Sequence, residues 1–322
     1  MKRARRSPLL RITKSQADRY LLRFVRGSFR LLRVLPRSLS ARWAERVFLT
    51  PPRQTRSRAE RALLAGARYR RIRGPKGEIA TWRWGKGPAI LLVHGWGGHA
   101  ARLGRFVAPL EAAGFSVIAF DAPAHARSSG KVCDLADFVR AIKAVARAAA
   151  RDGGPVVGII GHSLGAAAAA LAMRRGLRVN AAVLLAPISD PEEYTRRFAS
   201  LCRIPEDVHE SLKDRLVRRQ KMSWKKLHLA SRPGPARAPM LIFHDRRDAK
   251  VPQRHGLAIA RTWPETDFVA TSGLGHHKIL RDPEVVARSV EFLRGRPAPA
   301  LAPAEAPRLV LLPPARVAGV VA

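Results

Sequence analysis

Cysteine is nearly absent. Cys133 and Cys202 are the only two in 322 residues, and nothing beside either makes a metal or redox motif. A disulfide framework is not expected, so stability must come from a buried core, for which 47% hydrophobic content is ample in one large domain with appendages. Long apolar runs are lacking too. Arginine and lysine interrupt the segment after the basic start Met1-Lys2-Arg3-Ala4-Arg5-Arg6, so no apolar stretch of a signal peptide forms. No segment approaches the ~20 apolar residues of a membrane span, and the expectation is a soluble, cytoplasmic protein. Acidic residues are scarce: Asp+Glu 24 stand against Lys+Arg 60, a formal net charge of +36. Such a charge attracts nucleic acid, anionic membrane or acidic ligands. The basic residues are nevertheless scattered through every helix, which reads as a compositional bias across the chain. Metal-ligand spacing is missing as well. His94, His99, His125, His244, His276 and His277 lie near expected strand ends, but none forms an H-E-x-x-H pattern or a Cys/His cluster, and no metal is expected.

The most informative stretch is Val156-Val157-Gly158-Ile159-Ile160-Gly161-His162-Ser163-Leu164-Gly165, followed by Ala166 to Ala170. The short β-branched run reads as a strand buried on both faces, and Leu164 to Arg175 as a helix stopped at Gly176. Between them lies G-x-S-x-G, the pattern of a sharp turn that holds a serine hydroxyl clear of the sheet. Side chains at Gly161 and Gly165 are expected to collide with strand and helix, and the alanines to let the helix lie close.

Around this turn the chain reads as an α/β protein with appendages. Residues 1–66 form a basic helical extension. Its first helix runs from a capping box at Ser15 and Asp18 to about Pro36, with Arg19, Arg23, Arg26, Arg30 and Arg33 on one face and Leu22, Val25 and Phe29 around the other. It can dock its apolar side on a globular domain, the reading preferred here, or rest weakly on an anionic membrane surface. Short helices follow at about Ser40 to Phe48 and from Ser57, with Glu60 as box partner, to Gly66. Residues 67–295 carry the α/β pattern: a hairpin of Ala67 to Arg73 and Glu78 to Trp84, then strands at Ala89 to Val93, Ser116 to Asp121, Ala181 to Leu185, Met240 to His244 and Asp267 to Thr271. The intervening helices include Arg102 to Ala113, Leu135 to Arg151 capped by Asp134, and a last one with Asp282 as N-cap. Within 188–239 the alternation lapses into charged helical sequence, the mark of a lid or cap insertion. From 296 to 322 proline, alanine and valine dominate, and a disordered tail is expected.

A serine hydroxyl needs a base, an orienter for the base and donors for an oxyanion. Candidates stand at strand ends in the order serine, acid, histidine: Ser163, then Asp248 beyond the strand ending at His244, then His276 in Gly273-Leu274-Gly275-His276-His277. Asp245 in the same loop and Asp190 after the preceding strand are alternatives to Asp248, and His277 is an alternative to His276. On these motifs 67–293 resembles the α/β-hydrolase superfamily of esterases, lipases and thioesterases. The resemblance implies a mostly parallel sheet of about eight strands with helices on both faces, no cofactor, and an oxyanion hole from the backbone N–H groups of Leu164 and of Trp96 in His94-Gly95-Trp96-Gly97-Gly98. Asp121-Ala122-Pro123-Ala124-His125-Ala126-Arg127-Ser128 is similar to the superfamily's D-x-P-G-H-G-x-S turn with alanine at both glycines, and Asp121, His125 and Ser128 are read as structural.

The expected function is hydrolysis of a carboxylic ester or thioester, a small-molecule acyl substrate, through an acyl-enzyme on Ser163. The alternative is a basic, non-catalytic accessory protein on the same scaffold, contacting anionic membrane or nucleic acid. No nucleic-acid-binding motif is present, so nucleic acid is not an expected partner.

Overall fold

In the computed structural model, residues 14–31, 36–231, 238–295 and 309–311 are described. Among the described residues nine strands form one sheet: β1 Arg68–Gly74, β2 Gly77–Trp84, β3 Ala89–Val93, β4 Ser116–Phe120, β5 Val156–His162, β6 Ala181–Leu185, β7 Met240–Asp245, β8 Thr266–Thr271 and β9 Leu309–Leu311. Their order is β1-β2-β4-β3-β5-β6-β7-β8-β9. The pairs β1–β2 and β2–β4 are antiparallel and all others are parallel, so β2 alone runs against the other strands. The mostly parallel sheet expected from the sequence is thus present. Its ninth strand falls in the stretch expected to be a disordered tail: Leu309–Leu311 pair with Phe268 to Ala270 of β8. The rest of that expectation, over 296–308 and 312–322, lies outside the described residues.

The central strands β3, β4 and β6 are buried at every position, as their unbroken apolar sequences require for a sheet covered on both faces. Edge strand β1 is the opposite case. Its run Arg-Tyr-Arg-Arg-Ile-Arg-Gly is largely exposed, and the charges disfavour pairing with another chain. On one face of the sheet Leu92, Ile160, Val183 and Phe243 pack into a core with Phe106 and Val285 from flanking helices. The other helices follow their local signals. Leu135–Arg151 begins with a reciprocal capping box between Asp134 and Asp137, and Pro283–Arg294 begins at Asp282, whose carboxylate accepts the Val285 N–H. Ala166 to Ala170 are wholly buried in the helix Leu164–Arg174. The helix expected over 102–113 instead starts as a tight 3-10 stretch, Ala100–Phe106, before the α-helix Val107–Ala112. Close packing accompanies the change: a Cβ at Gly104 would come within 2.4 Å of Leu63 Cδ2.

Compact units divide at other places than the sequence suggested. One consists of Met1–Phe48 and Glu192–Arg219, and the other of Leu49–Pro191 and Gln220–Ala322. In the first, the helices Lys14–Leu31 and Arg37–Phe48 share a unit with Pro191–Cys202 and Glu206–Gln220, taken from the expected lid. Phe48 and Phe198 pack with ring centroids 5.2 Å apart and planes tilted by 55°, and Glu45 receives Arg215 at 2.6 Å. The side chains of Ser15 and Asp18, the expected capping box, lie outside the described residues. Residues 49–66 belong to the α/β unit instead of the extension. There Ser57 and Glu60 form the capping box of the helix Arg58–Ala65, and Leu63 O accepts the Trp84 indole N–H. Among the described residues, no helix is long and apolar enough to cross a membrane.

The register brings the functional strand ends level. Val93 pairs with Gly161, His162 with Leu185, Leu185 with Phe243, and Asp245 with Thr271. The loops after β3, β5, β7 and β8 therefore emerge at one edge, where ligands bind in parallel α/β sheets.

Candidate active site

At the end of β5 the backbone of Ser163 is driven to φ 54, ψ −119, a conformation costing a non-glycine residue ~1–3 kcal/mol. Flanking bonds hold it there: the Ser163 N–H donates to Leu185 O at 2.9 Å, and its carbonyl accepts from Ala167 at 3.0 Å. The close approaches expected at the glycines are present. A Cβ at Gly161 would stand 2.6 Å from Ala166 Cα, and one at Gly165 2.3 Å from His94 O.

His276 follows β8 in the short helix Gly275–Lys278. Its Nδ1 lies 2.7 Å from Asp248 Oδ2 and its Nε2 3.1 Å from Ser163 Oγ. Because a carboxylate can only accept, Nδ1 carries the proton and the Nε2 lone pair faces the serine hydroxyl. Asp248 also accepts the N–H groups of Lys250 and Val251 on Oδ1, at 2.8 and 2.9 Å. Burial by itself would raise this carboxyl, but the bonds from His276 and Val251 hold it below its ordinary value, as an anion. Ser163, Asp248 and His276 are thus brought together.

The alternatives occupy other places. Asp245 accepts the Thr271 hydroxyl and the Leu274 N–H, each at 2.9 Å, and so shapes the loop that carries the histidine. His277 accepts from Lys250 Nζ at 2.8 Å. Partial burial, with Lys250 and His276 nearby, pushes its ring down to about 4.

The loop after β3 lies against the serine, with only 3.1 Å between a Cβ placed on Gly95 and Ser163 Cβ. Among the described residues the N–H groups of Trp96 and Leu164 have no protein acceptor, as donors kept for an incoming oxygen would require.

Two histidines fasten this loop to the turn after β4. His94 Nε2 accepts the Ala122 N–H at 2.9 Å, so its Nδ1–H donates to Gly95 O at 2.7 Å. His125 Nε2 accepts the Gly97 N–H at 3.1 Å, and its Nδ1–H donates to Pro123 O at 2.9 Å. Burial pushes both rings down to about 3, so they stay neutral and keep these tautomers. Asp121 anchors the same turn. Its two oxygens share Arg56 Nη2 at 2.9 and 2.7 Å and accept the N–H groups of Ala100 and Arg127 at 2.8 and 2.9 Å. Ser128 Oγ donates to Asp121 O at 2.6 Å and accepts the Ala80 N–H at 2.9 Å. The roles of His94 and Arg56 escape sequence reasoning. His94 opens the segment His94-Gly95-Trp96-Gly97-Gly98, but nothing near it or near Arg56 in the chain marks its partner.

A grouping of possible metal ligands, Glu206, His209 and Glu210, lies on the first turns of Glu206–Gln220 in the helical unit. Its carboxylates are exposed, and His209 Nε2 is engaged by Thr195 Oγ1 at 3.0 Å.

A family model described as serine aminopeptidase, S33, matches residues 87–233. No curated protein matches the chain in sequence. Among solved structures, the chain is similar to the Pyrococcus furiosus esterase Pf2001, with 20% identity, TM-score 0.59, and 77% of this chain and 99% of that one covered. A thermophilic esterase from Thermogutta terrifontis aligns at 21% identity and TM-score 0.51, over 71% of this chain and 99% of its own. A putative non-heme bromoperoxidase from Mycobacterium tuberculosis aligns at 17% identity and TM-score 0.55, over 70% and 98%. With its sheet order, its strained serine turn and these structural likenesses, the chain has the α/β-hydrolase fold.

Proposed function

We propose that the protein is a serine hydrolase that cleaves a carboxylic ester or thioester through an acyl-enzyme intermediate. The observation that carries this reading is the continuous hydrogen-bond chain from Ser163 Oγ through His276 to Asp248, at 3.1 and 2.7 Å, on a serine held at φ 54. Ser163 Oγ attacks the acyl carbon as its proton passes to His276 Nε2, and Asp248 stabilises the imidazolium. The oxygen that gains charge is received by the N–H groups of Leu164 and Trp96. The imidazolium then protonates the leaving alcohol or thiol, the carbonyl re-forms, and the acyl group remains on Ser163. Water, deprotonated by His276, attacks that ester and releases the acid, restoring the serine.

The esterase neighbours and the surrounding charges favour an ester or thioester over the peptide implied by the family model's description. A free α-ammonium calls for an acidic receptor, yet Asp121, Asp245 and Asp248 are already engaged by Arg56, by backbone N–H groups and by His276. Labelling with a fluorophosphonate tests the proposal. Wild-type protein is expected to be labelled, Ser163→Ala unlabelled, and His276→Ala labelled far more slowly. A folded wild-type protein that remains unlabelled would overturn it. A screen of short and long acyl esters and thioesters then defines the substrate.

A further inference from the structure

The helix Lys14–Leu31 has two apolar faces, and only one is used inside its compact unit. Val25 and Phe29 are buried. Tyr20, Phe24 and Leu31 remain 59%, 65% and 76% exposed. At ~100° per residue these three fall within about 40° of one another around the axis, so they form one strip.

Exposed Arg23 and Arg30 run along one border of the strip. Among the described side chains neither has an acidic partner. In sequence, the segment before the helix adds Lys2, Arg3, Arg5, Arg6 and Arg11 with no acidic residue. Aromatic and aliphatic side chains bordered by uncompensated arginines match an anionic phospholipid surface, where rings and leucine enter the acyl boundary and guanidinium groups meet phosphates. A nucleic acid would use the charge and the rings but leave Leu31 without a partner, and a neutral protein partner would leave the arginines uncompensated.

We infer that the strip of Tyr20, Phe24 and Leu31, with Arg23 and Arg30, docks the protein onto anionic membrane surfaces. The test is co-sedimentation of the full chain with phosphatidylcholine vesicles, with and without phosphatidylglycerol, at physiological ionic strength. Wild-type protein should partition onto the phosphatidylglycerol vesicles. Phe24→Ser/Leu31→Ser should lower the partition coefficient by about tenfold or more, and Arg23→Gln/Arg30→Gln by about fivefold per arginine. Both variants should keep the wild-type thermal midpoint, since the replaced side chains are exposed. Three results would overturn the inference: no wild-type partitioning at this ionic strength; undiminished partitioning of Phe24→Ser/Leu31→Ser, which would assign binding to bulk charge; or a wild-type dimer that this variant converts to monomer, which would assign the strip to a second copy.

Discussion

The imidazole of His162, the residue before the serine, donates its Nε2–H to the backbone carbonyl of His276 at 2.9 Å. Their rings lie 4.6 Å apart, tilted by 45°. Burial, with His276 nearby, pushes His162 well below its ordinary value, so it stays neutral. The turn that presents the serine therefore also fixes the backbone of the proposed base. His162→Phe keeps the ring volume but removes the donor, and kcat should fall by about 10–100-fold with little change in KM, the scale for a slightly misplaced catalytic group. His162→Gln, which retains an N–H donor, should recover much of the loss; equal loss in both variants would assign His162 to packing alone.

The two aspartates after β7 are distinguishable by substitution. Asp248→Asn removes the anion that holds the His276 tautomer and should lower kcat by roughly 10³–10⁴-fold in a folded protein. Asp245→Asn weakens bonds within the loop, and its effect should appear mainly as about 1–3 kcal/mol of lost stability. Urea midpoints measured beside turnover separate the two; the opposite pattern would exchange their roles.

Ala124 and Ala126 stand at φ 64 and 41 in the turn where the superfamily's pattern has glycine. The left-handed region costs an L-residue ~1–2 kcal/mol, partly offset because glycine has more freedom to lose from the unfolded chain. Ala124→Gly and Ala126→Gly should therefore each raise stability by about 0.5–1 kcal/mol, seen as a higher thermal midpoint. A lower midpoint in both would show that the alanine methyls contribute more in packing than the backbone loses.

Arg56 and Asp121 form a largely enclosed ion pair, with side-chain exposures of 13% and 0%. Arg56→Met leaves the carboxylate buried with only its backbone donors, which should cost about 3–5 kcal/mol. Because Asp121 holds the turn to which His94 and His125 tie the loop after β3, labelling of Ser163 should also slow. Denaturant unfolding and labelling kinetics on the same sample check both effects, and a stability within about 1 kcal/mol of wild type would refute the expectation.

Stability should fall in mild acid. His94, His125 and His244 are pushed by burial from 6.5 to about 3, 3 and 4. The unfolded chain protonates these rings near their ordinary value while the folded chain does not, so their contribution is complete above pH 6.5 and is lost as pH falls toward the folded values. The slope is at most about 1.4 kcal/mol per pH unit for each ring. Urea midpoints that stay constant between about pH 7 and about pH 5 would contradict it.

Element order, the serine turn and most helix caps were legible in the sequence because each depends on neighbours a few residues away. Val156 to Gly165 contain a buried strand, a turn too tight for side chains at two positions, and a helix of alanines. Likewise Asp134, Ser57 and Asp282 mark helix starts through bonds to residues three positions on. What only the tertiary structure decided rests on contacts between distant segments. Local sequence favours Asp248 over Asp245, but the bond of Asp248 to His276 comes from where parallel β7 and β8 deliver their loops. The pairings of Arg56 with Asp121, His125 with Gly97 and His162 with His276 span 65, 28 and 114 residues, and no local pattern encodes them. The same holds for the helices of 192–219, which share a compact unit with the N-terminal helices, and for Leu309–Leu311, whose pairing partner lies in β8. Local sequence selects the conformations open to each segment, and burial of the shared core selects which segments meet.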